Sequence, residues 1–341
     1  MIKKLIKLLL IFLTILILVI SYFSFFGIET ERFNNIIRTK IVELNKDLNI
    51  KLKSVNFLLN PLDLSIKVKT YSPEVIINNK DLKLEFIKTN ISLKAFINNS
   101  FSIDDLQIST KSNKLSDIVA LFRSFNNSTE LFILEKIIKN GILVGDIRLK
   151  FDNFGKIKDD YVVNGFIKNA KLDFFKKYNF ENLNLLFKIK DNEYLLEDID
   201  TKFNQIKLSS KLIKVIQKKE SFLFEGNIKS KEKDIDSVLL KKFYVNTLKN
   251  FDIENVNLKS DTDFKLNLSK KLKVSNLSYK SKINLNNLNY KKNLPNLNKY
   301  LPSFKELIKL QDHIISIDYT KNKLDISGKG DLIIEDKKDN L

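Results

Sequence analysis

The chain has 341 residues, of which 43% are hydrophobic and 29% are charged, and this composition excludes an intrinsically disordered protein. Its 8 glycines and 4 prolines are too few for a collagen-like or proline-rich protein, and the lack of cysteine excludes disulfides and thiolate metal sites. The net charge of +18 would suit nucleic acid, but the lysines are spread along nearly every segment instead of forming one patch. We therefore predict a folded protein that binds no nucleic acid and carries a basic surface suited to an anionic membrane.

The first predicted element is an apolar segment that runs from Leu8 to Gly27 without a charged residue. As a helix, its roughly 20 residues rise about 30 Å, which matches the hydrocarbon core of a bilayer. Three lysines precede the segment and aromatic residues follow it, so we predict a transmembrane anchor over residues 1–27 with a cytoplasmic N-terminus. The alternative is a cleaved signal peptide, whose apolar core would be shorter and would end in small residues.

The second predicted element is an amphipathic helix within residues 28–49, from about Glu31 to Leu48. Its apolar residues recur at helical spacing, at Phe33, Ile36, Ile37, Ile41, Leu44 and Leu48. Two interpretations remain open. The helix either caps the start of the folded part or rests as a collar on the membrane surface.

From Lys51 onward, apolar and polar residues alternate, which is typical of antiparallel strands with one dry and one wet face. Pairs of asparagine and aspartate predict turns between these strands, at Asn78-Asn79, Asn98-Asn99, Asp159-Asp160, Asp191-Asn192 and Asn286-Asn287. A five-residue phrase also recurs at irregular spacing, with two polar residues before an apolar-polar-apolar step, and we interpret each copy as a turn that leads into a strand. The copies begin at Asp104, Glu181, Glu197, Glu254, Ser275 and Asn286.

Helical spacing returns in only four later segments. We predict helices over residues 115–125, over residues 131–138 before Gly141, after Ser230, and from Pro302, where Ser303 and Glu306 have capping-box spacing. No change in composition marks a domain boundary, so residues 50–341 are predicted to form one β-rich domain.

The sequence offers little reactive chemistry. The adjacent carboxylates of Asp104 and Asp105 would point to opposite faces of a strand, and Asp159-Asp160 falls in a predicted turn. A single histidine, His313, cannot form a multi-histidine metal site, and no phosphate loop, nucleophile elbow or dinucleotide fingerprint is present. We predict that the protein is not an enzyme and has no catalytic residues, no metal site and no cofactor.

The apolar side of so many strands must be covered by a second sheet, by helices or by an apolar ligand. Helices are too few, which leaves two alternatives: a closed two-sheet sandwich, or a long antiparallel sheet curved into a groove that holds acyl chains. For the groove, the candidate lipid-facing residues are Leu62, Leu64, Ile66, Leu82, Leu84, Phe86, Leu183, Leu185, Phe187, Phe222 and Phe224.

The order of these features resembles a known group. A basic N-terminus, one anchor helix, a short amphipathic helix and lysine- and asparagine-rich strands, with phrases such as YLLEDIDTKFNQIKLSSKL (Tyr194 to Leu212) and KYLPSFKELIKLQDHIISIDY (Lys299 to Tyr319), are similar to AsmA-like envelope proteins of the YhdP and TamB types. The resemblance covers essentially the whole chain and lies in its pattern. It implies a taco-like repeating β-groove, preceded by one transmembrane helix, with a few short helices.

The resemblance also implies a location and a function. We expect a single-pass protein of a bacterial inner membrane, with its bulk in the periplasm, that binds or transfers phospholipid or another acyl lipid and supports outer-membrane biogenesis. Other envelope proteins are expected partners. The alternative is a non-enzymatic assembly factor, a closed β-sandwich whose strand edges pair with outer-membrane clients.

Overall fold

The computed structural model of the protein describes residues 2–44, 48–77, 80–97, 102–125, 128–174, 178–243, 252–271, 273–291, 307–334 and 337–340. The helices are α1 (Ile2–Phe25), α2 (Asn34–Leu44), α3 (Leu93–Ile97), α4 (Leu115–Phe125), α5 (Thr129–Ile137) and α6 (Ser237–Phe243). The first ten strands are β1 (Ile28–Thr30), β2 (Leu48–Lys51), β3 (Val55–Asn60), β4 (Ser65–Tyr71), β5 (Glu74–Ile77), β6 (Lys80–Ser92), β7 (Ile103–Thr110), β8 (Asn113–Lys114), β9 (Ile138–Lys150) and β10 (Val162–Phe174). The remaining strands are β11 (Tyr178–Lys190), β12 (Glu193–Phe203), β13 (Ile206–Gln217), β14 (Ser221–Ser230), β15 (Lys233–Asp236), β16 (Asp252–Ser269), β17 (Val274–Lys291), β18 (Leu307–Thr320), β19 (Lys323–Ile334) and β20 (Lys337–Asn340).

All twenty strands belong to one long, open antiparallel sheet. Most of them pair with the strand that precedes or follows them, or with the next strand but one, as a chain of hairpins requires. The fold is therefore mainly β, with one apolar N-terminal helix and a few short helices, as predicted from the alternating pattern.

The N-terminal helix α1 is long and apolar enough to cross a membrane, and its side chains pack against no other part of the described chain along most of its length. It ends at Phe25, and Gly27 turns the chain into β1 with a positive φ of 68°. A Cβ atom at Gly27 would lie 2.5 Å from the carbonyl oxygen of Phe57, so only glycine fits this approach of the helix end to β3.

Two compact units divide the chain. The first comprises Met1–Leu131, Ile142–Phe166 and Lys188–Asp191, and the second comprises Phe132–Gly141, Ile167–Phe187 and Asn192–Leu341. The sequence predicted one domain over residues 50–341. The boundaries of the two units fall inside α5, β9, β10 and β11 and at the turn before β12.

The core of the first unit lies where α4 packs on β6 and β8. Leu84 of β6 is 2% exposed beneath this helix, whose inner face is formed by Leu115, Ile118 and Val119. Helix α2 packs on β2, and the side-chain amide of Asn34 donates to the carbonyl oxygens of Leu52 and Lys53. These contacts favour α2 as a cap on the first strands.

One part of the core of the second unit lies beneath α6, which packs on β15 and β16, and another part lies along β10 to β13, where Ala170, Ile199 and Val215 are buried. The first turn of α6 is capped by Asp236, whose carboxylate accepts a hydrogen bond from the backbone N–H of Leu239. The buried side chains around this helix are Ile235, Leu239, Val256, Leu285 and His313. The helix covers only this end of the strands.

Several helix boundaries differ from the sequence prediction. Leu48 belongs to β2, not to the helix predicted to reach it, and Ile138 starts β9 because α5 ends one residue earlier. The helix predicted after Ser230 begins at Ser237, since the intervening residues pair with β16 as β15. The predicted helix at Pro302 with Ser303 and Glu306, and the turns predicted at residues 78–79 and 98–99, lie outside the described residues.

The recurring five-residue phrase is a β-bulge signature, which corrects its interpretation as a turn. All six copies lie inside strands. Asn182, Asp198 and Asn276 adopt positive φ values near 50° there, and the copies at Asp104, Glu254 and Asn286 coincide with shifts in strand register. Asn286-Asn287 is therefore not a turn, whereas Asp159-Asp160 and Asp191-Asn192 are.

The physical reason is the two-residue period of a strand. Two successive polar residues interrupt the alternation, and one extra residue at that point restores all apolar side chains to the same face. In β17, Ile283 and Leu285 precede the interruption while Leu288 and Tyr290 follow it, and the pairing with β16 shifts by one residue between them. Each bulge thus keeps a long strand one-sided.

We predict that Gly330→Ala destabilises the second unit while Gly328→Ala does not. A methyl group at Gly330 would overlap the ring and the Cα of His313, whereas at Gly328 the closest atom, Cγ1 of Ile315, would be 3.5 Å away. The expected cost for Gly330→Ala is about 1–3 kcal/mol in the free energy of unfolding. Urea denaturation in detergent measures it, and equal stability of the two variants would contradict the packing described.

We predict that Asn276→Val costs about 1–2 kcal/mol in unfolding free energy, because a β-branched residue tolerates the positive φ of this bulge poorly. Asn276→Gly should leave stability nearly unchanged. Ser278→Val, two residues along the same strand, is the control and should be tolerated, since β-branched residues suit ordinary strand positions. A tolerated valine at both positions, measured by thermal denaturation, would argue against the bulge.

Candidate functional site

The candidate site in the second unit is a row of mainly apolar residues that crosses seven strands. Residues directly opposite each other in neighbouring antiparallel strands share a face of the sheet. Consecutive pairings of this kind join Leu196, Ile213, Gly226, Phe264, Tyr279, Tyr319 and Leu324, from β12 to β19. We call the side of the sheet that carries this row the apolar face of the second unit.

A second row runs parallel to the first. Tyr194, Val215, Phe224 and Leu266 are successively paired across β12, β13, β14 and β16. The two rows alternate with residues that point to the other side, so the apolar side chains form a broad surface instead of a single line.

The apolar face is only partly covered. No residue of the first row is buried, whereas Val215 of the second row is, and at the β19 end Leu324 and Ile326 are 56% and 63% exposed. In the described part of the chain, the helix that packs on these strands is α6, and it lies against β15 and β16. Burial raises the pKa of Tyr290 near that covered end. The rest of the face presents partly exposed apolar surface.

The opposite side of the second unit is charged and wet. Lysines lie directly across from acids at Lys229–Asp261, with 2.7 Å between Nζ and Oδ2, at Lys280–Asp318, with 3.0 Å, and at Lys265–Glu225. Hydrogen bonds from Lys229 and from Asn227 hold the pKa of Asp261 below its usual value. These pairs are exposed and contribute little stability, but they make this face soluble.

The structure places the eleven predicted lipid-facing residues in four different settings. Phe222 and Phe224 of β14 lie on the apolar face, opposite Leu268 and Leu266. Leu183, Leu185 and Phe187 alternate along β11, where Leu185 is buried and the other two are partly exposed. Those five positions are the ones that the second unit contributes.

The other six predicted lipid-facing residues belong to the first unit, where they do not share one surface. Ile66 lies on an apolar row with Leu59 and Ile91, and Leu82 is partly exposed opposite Val75. Leu84 is a core residue beneath α4, so it is closed to any ligand. These placements come from the register of β4, β5 and β6.

Three of the predicted positions do not lie on a common face of the sheet. Leu62 and Leu64 lie in the turn between β3 and β4, because Pro61 ends the alternation of β3 and no strand pairing reaches them. Phe86 faces away from Leu84, since the register shifts between these two residues and turns Phe86 to the side of Tyr71 and Lys69. The Lys69 ammonium lies 4.8 Å from the centre of the Phe86 ring.

Sequence reasoning missed residues that the structure makes central. Phe264, Tyr279 and Tyr319 extend the face by three strands beyond Phe224, yet they were not among the candidates. Their alternation was visible, but their common side depends on the bulges at Asn276 and Asp312. Counting a bulge at each pair of successive polar residues would have placed them.

The described residues contain no cluster of three or more metal-ligating side chains. Asp104 lies at a bulge, Asp105 lies opposite Asn90 and Lys150, and Asp160 forms an ion pair with Lys150. The surface can bind by burial of apolar area and by no evident covalent route.

Comparison with known proteins gives no family assignment. No protein-family model, no curated protein and no solved structure matches this chain. The geometry of the two faces is therefore the basis for any functional interpretation.

We predict that Leu84→Asp and Ile326→Asp differ sharply in their effect on stability. The aspartate at Leu84 would be buried without a partner and should cost more than about 3 kcal/mol in unfolding free energy. At Ile326, which is 63% exposed on the apolar face, the change should stay within about 0.5 kcal/mol. Chemical denaturation in detergent compares them, and a large loss at Ile326 would reveal a covering layer.

Proposed function

We propose that this protein is a membrane-anchored lipid-binding protein that holds the acyl chains of phospholipid, or of another acyl lipid, on the apolar face of the second unit. The observation that carries the proposal is the seven-strand row from Leu196 to Leu324, whose side chains are partly exposed. Monomeric soluble proteins rarely leave so extended an apolar patch uncovered unless it binds something.

The driving force would be the burial of hydrocarbon. Each methylene group removed from water contributes about 0.8 kcal/mol, so a lipid tail laid across several strands gains enough to remain bound. Aromatic residues such as Phe224, Phe264 and Tyr279 offer wide, flat contact area to such a tail. Binding of this kind is passive and non-directional, and it allows the tail to slide from one strand to the next.

The charged side supports the same interpretation. Because lysine–carboxylate pairs cover it, the sheet has one side for water and one for hydrocarbon. Lipid head groups would remain at the wet margin of the apolar face, where no buried charge has to be desolvated.

The proposed location follows from α1 and from the resemblance to AsmA-like envelope proteins. The lysines before α1 favour a cytoplasmic N-terminus, so the sheet would lie in the periplasm of an inner-membrane protein. In that setting, a groove formed by the apolar face would support outer-membrane biogenesis by carrying phospholipid. The resemblance and the charge pattern support this part of the proposal.

A second candidate function is an assembly factor that pairs its strands with envelope proteins. Strand β20 pairs only with Asp331 to Ile334, so within the described residues the outer edge of β19 from Lys323 to Lys329 has no neighbouring strand. Such an edge can accept a strand from a client. The closed sandwich expected for this alternative is not the architecture observed, since the strands form one sheet.

We predict that a photoreactive benzoylphenylalanine at Phe224 crosslinks to phospholipid in cells, whereas the same residue at Leu223 does not. The two positions are adjacent in β14 and point to opposite faces, opposite Leu266 and Asn267 respectively. Mass spectrometry of the detergent-extracted protein detects the adduct, and native mass spectra of the unmodified protein should show bound phospholipid.

Equal lipid labelling at both positions would indicate non-specific contact and would contradict the proposal. Adducts with a protein, and no lipid in native spectra, would favour the assembly factor. Circular dichroism of both variants confirms that each retains its strands.

A further inference from the structure

The end of the first unit from which α1 emerges carries the two most exposed large apolar side chains that the described residues have outside that helix. Ile28 lies opposite Phe57, and β1 runs from there away from the turn between β3 and β4. The chain that precedes Gly27 therefore lies toward that turn, and the end of α1 packs on β3. The exposed aromatic residues Phe25 and Phe26 lie in this same region.

The first of the two exposed side chains is in the turn between β3 and β4. Leu62 is 92% exposed there, and Leu64 is 46% exposed with a positive φ of 48°. A leucine rarely adopts this backbone conformation. The turn is held in place by hydrogen bonds from the Leu93 N–H to the Leu64 carbonyl and from the Asn60 side chain to Asp63. The fold thus fixes two leucines in water.

The second exposed side chain belongs to the loop after β9. Phe154 is 94% exposed, and the carboxylate of Asp152 accepts hydrogen bonds of 2.9 Å from the backbone N–H groups of Phe154 and Lys156. The hydrogen bond from Lys156 is the main reason that the pKa of Asp152 lies below its usual value. The phenylalanine is held at the tip of an ordered turn.

Both turns project from the same end of the sheet. Asn60 and Ser65 lie opposite each other where β3 meets β4, and Ser65 lies opposite Ser92 at the end of β6. The start of β7 and the end of β9 lie at this same end of the sheet, because the N–H of Phe151, just after β9, donates to the carbonyl oxygen of Asp104 near the start of β7. Four strand spacings of about 4.8 Å place the two tips roughly 19 Å apart along one edge.

We propose that this end of the first unit docks on the membrane that α1 crosses, with Leu62, Leu64 and Phe154 inserted at the lipid interface. The proposal rests on α1 as a membrane anchor and goes beyond lipid binding by the second unit. Insertion would remove the exposed apolar area from water at about 25 cal/mol per Å². The exposed lysines beside the tips, Lys94, Lys156 and Lys158, suit the phosphate layer at that depth.

In this placement the apolar tips contact the same membrane that α1 is proposed to cross. Each tip alone contributes only a few kcal/mol, but the anchor holds both beside the bilayer, so their insertion costs little further entropy. Three points of contact, one helix and two turns, would fix the orientation of the first unit on the membrane.

The test uses the full chain, which contains no cysteine and so accepts a single labelled one. Leu62→Cys and Phe154→Cys are each coupled to the fluorophore NBD and reconstituted into phosphatidylcholine vesicles in which part of the lipid carries a nitroxide high on its acyl chain. We expect blue-shifted emission that is quenched severalfold by the nitroxide lipid and little by aqueous iodide.

Two matched labels complete the experiment. Tyr71→Cys lies at the opposite end of β4, about 20 Å from the turn, and is 46% exposed, so its label should be quenched by iodide only. Leu16→Cys reports the insertion of α1 itself. If the Leu16 label is quenched by nitroxide lipid while those at Leu62 and Phe154 behave like the Tyr71 label, the docking proposal is wrong and the anchor stands. If the Leu16 label is accessible to iodide, the anchor is wrong as well.

Discussion

The two-residue period of an extended chain is the constraint on which this structure depends. A strand can keep its apolar side chains on one face only while polar and apolar residues alternate without interruption. Strands as long as β16 and β17, with 18 residues each, cannot easily remain in phase with their neighbours over that length. The bulges at Asn276 and Asn286 restore the phase, and Asn276 adopts a positive φ, which asparagine tolerates better than most residues other than glycine.

One consequence is a sheet with two chemically distinct sides and few helices to cover them. Burial occurs where α4 packs in the first unit and where α6 packs in the second, around Leu84 and Val256, and at single strand positions such as Val55 and Ala170. Away from these helices, stability must come from the ladders of backbone hydrogen bonds and from contacts between neighbouring side chains on the same face. A ligand that covers the apolar face would add to stability by the same burial that drives its binding.

Sequence reasoning predicted the mainly β fold and an N-terminal helix long and apolar enough to cross a membrane, because each follows from a period or a run length. The open antiparallel sheet was one of the two alternatives that the alternating pattern left. Sequence reasoning assigned side chains to the wrong face where the two-residue alternation of a strand is interrupted. Phe86 was assigned to the wrong side because a one-residue register shift after Leu84 reverses the face, and Leu62 was assigned to a strand although Pro61 ends the pairing. The bulge phrase was recognised as a repeat but not as a bulge, since two polar residues in succession are also typical of a turn. The division into two units has no sequence signal at all.

The connection between α1 and the sheet is only two residues long, Phe26 and Gly27, and the glycine is locked against the Phe57 carbonyl. A connection of two residues leaves the helix little freedom to move independently of the sheet. If α1 crosses a bilayer as proposed, a tilt of this helix would be transmitted directly to the paired strands β1 and β3, because no longer linker separates them from it.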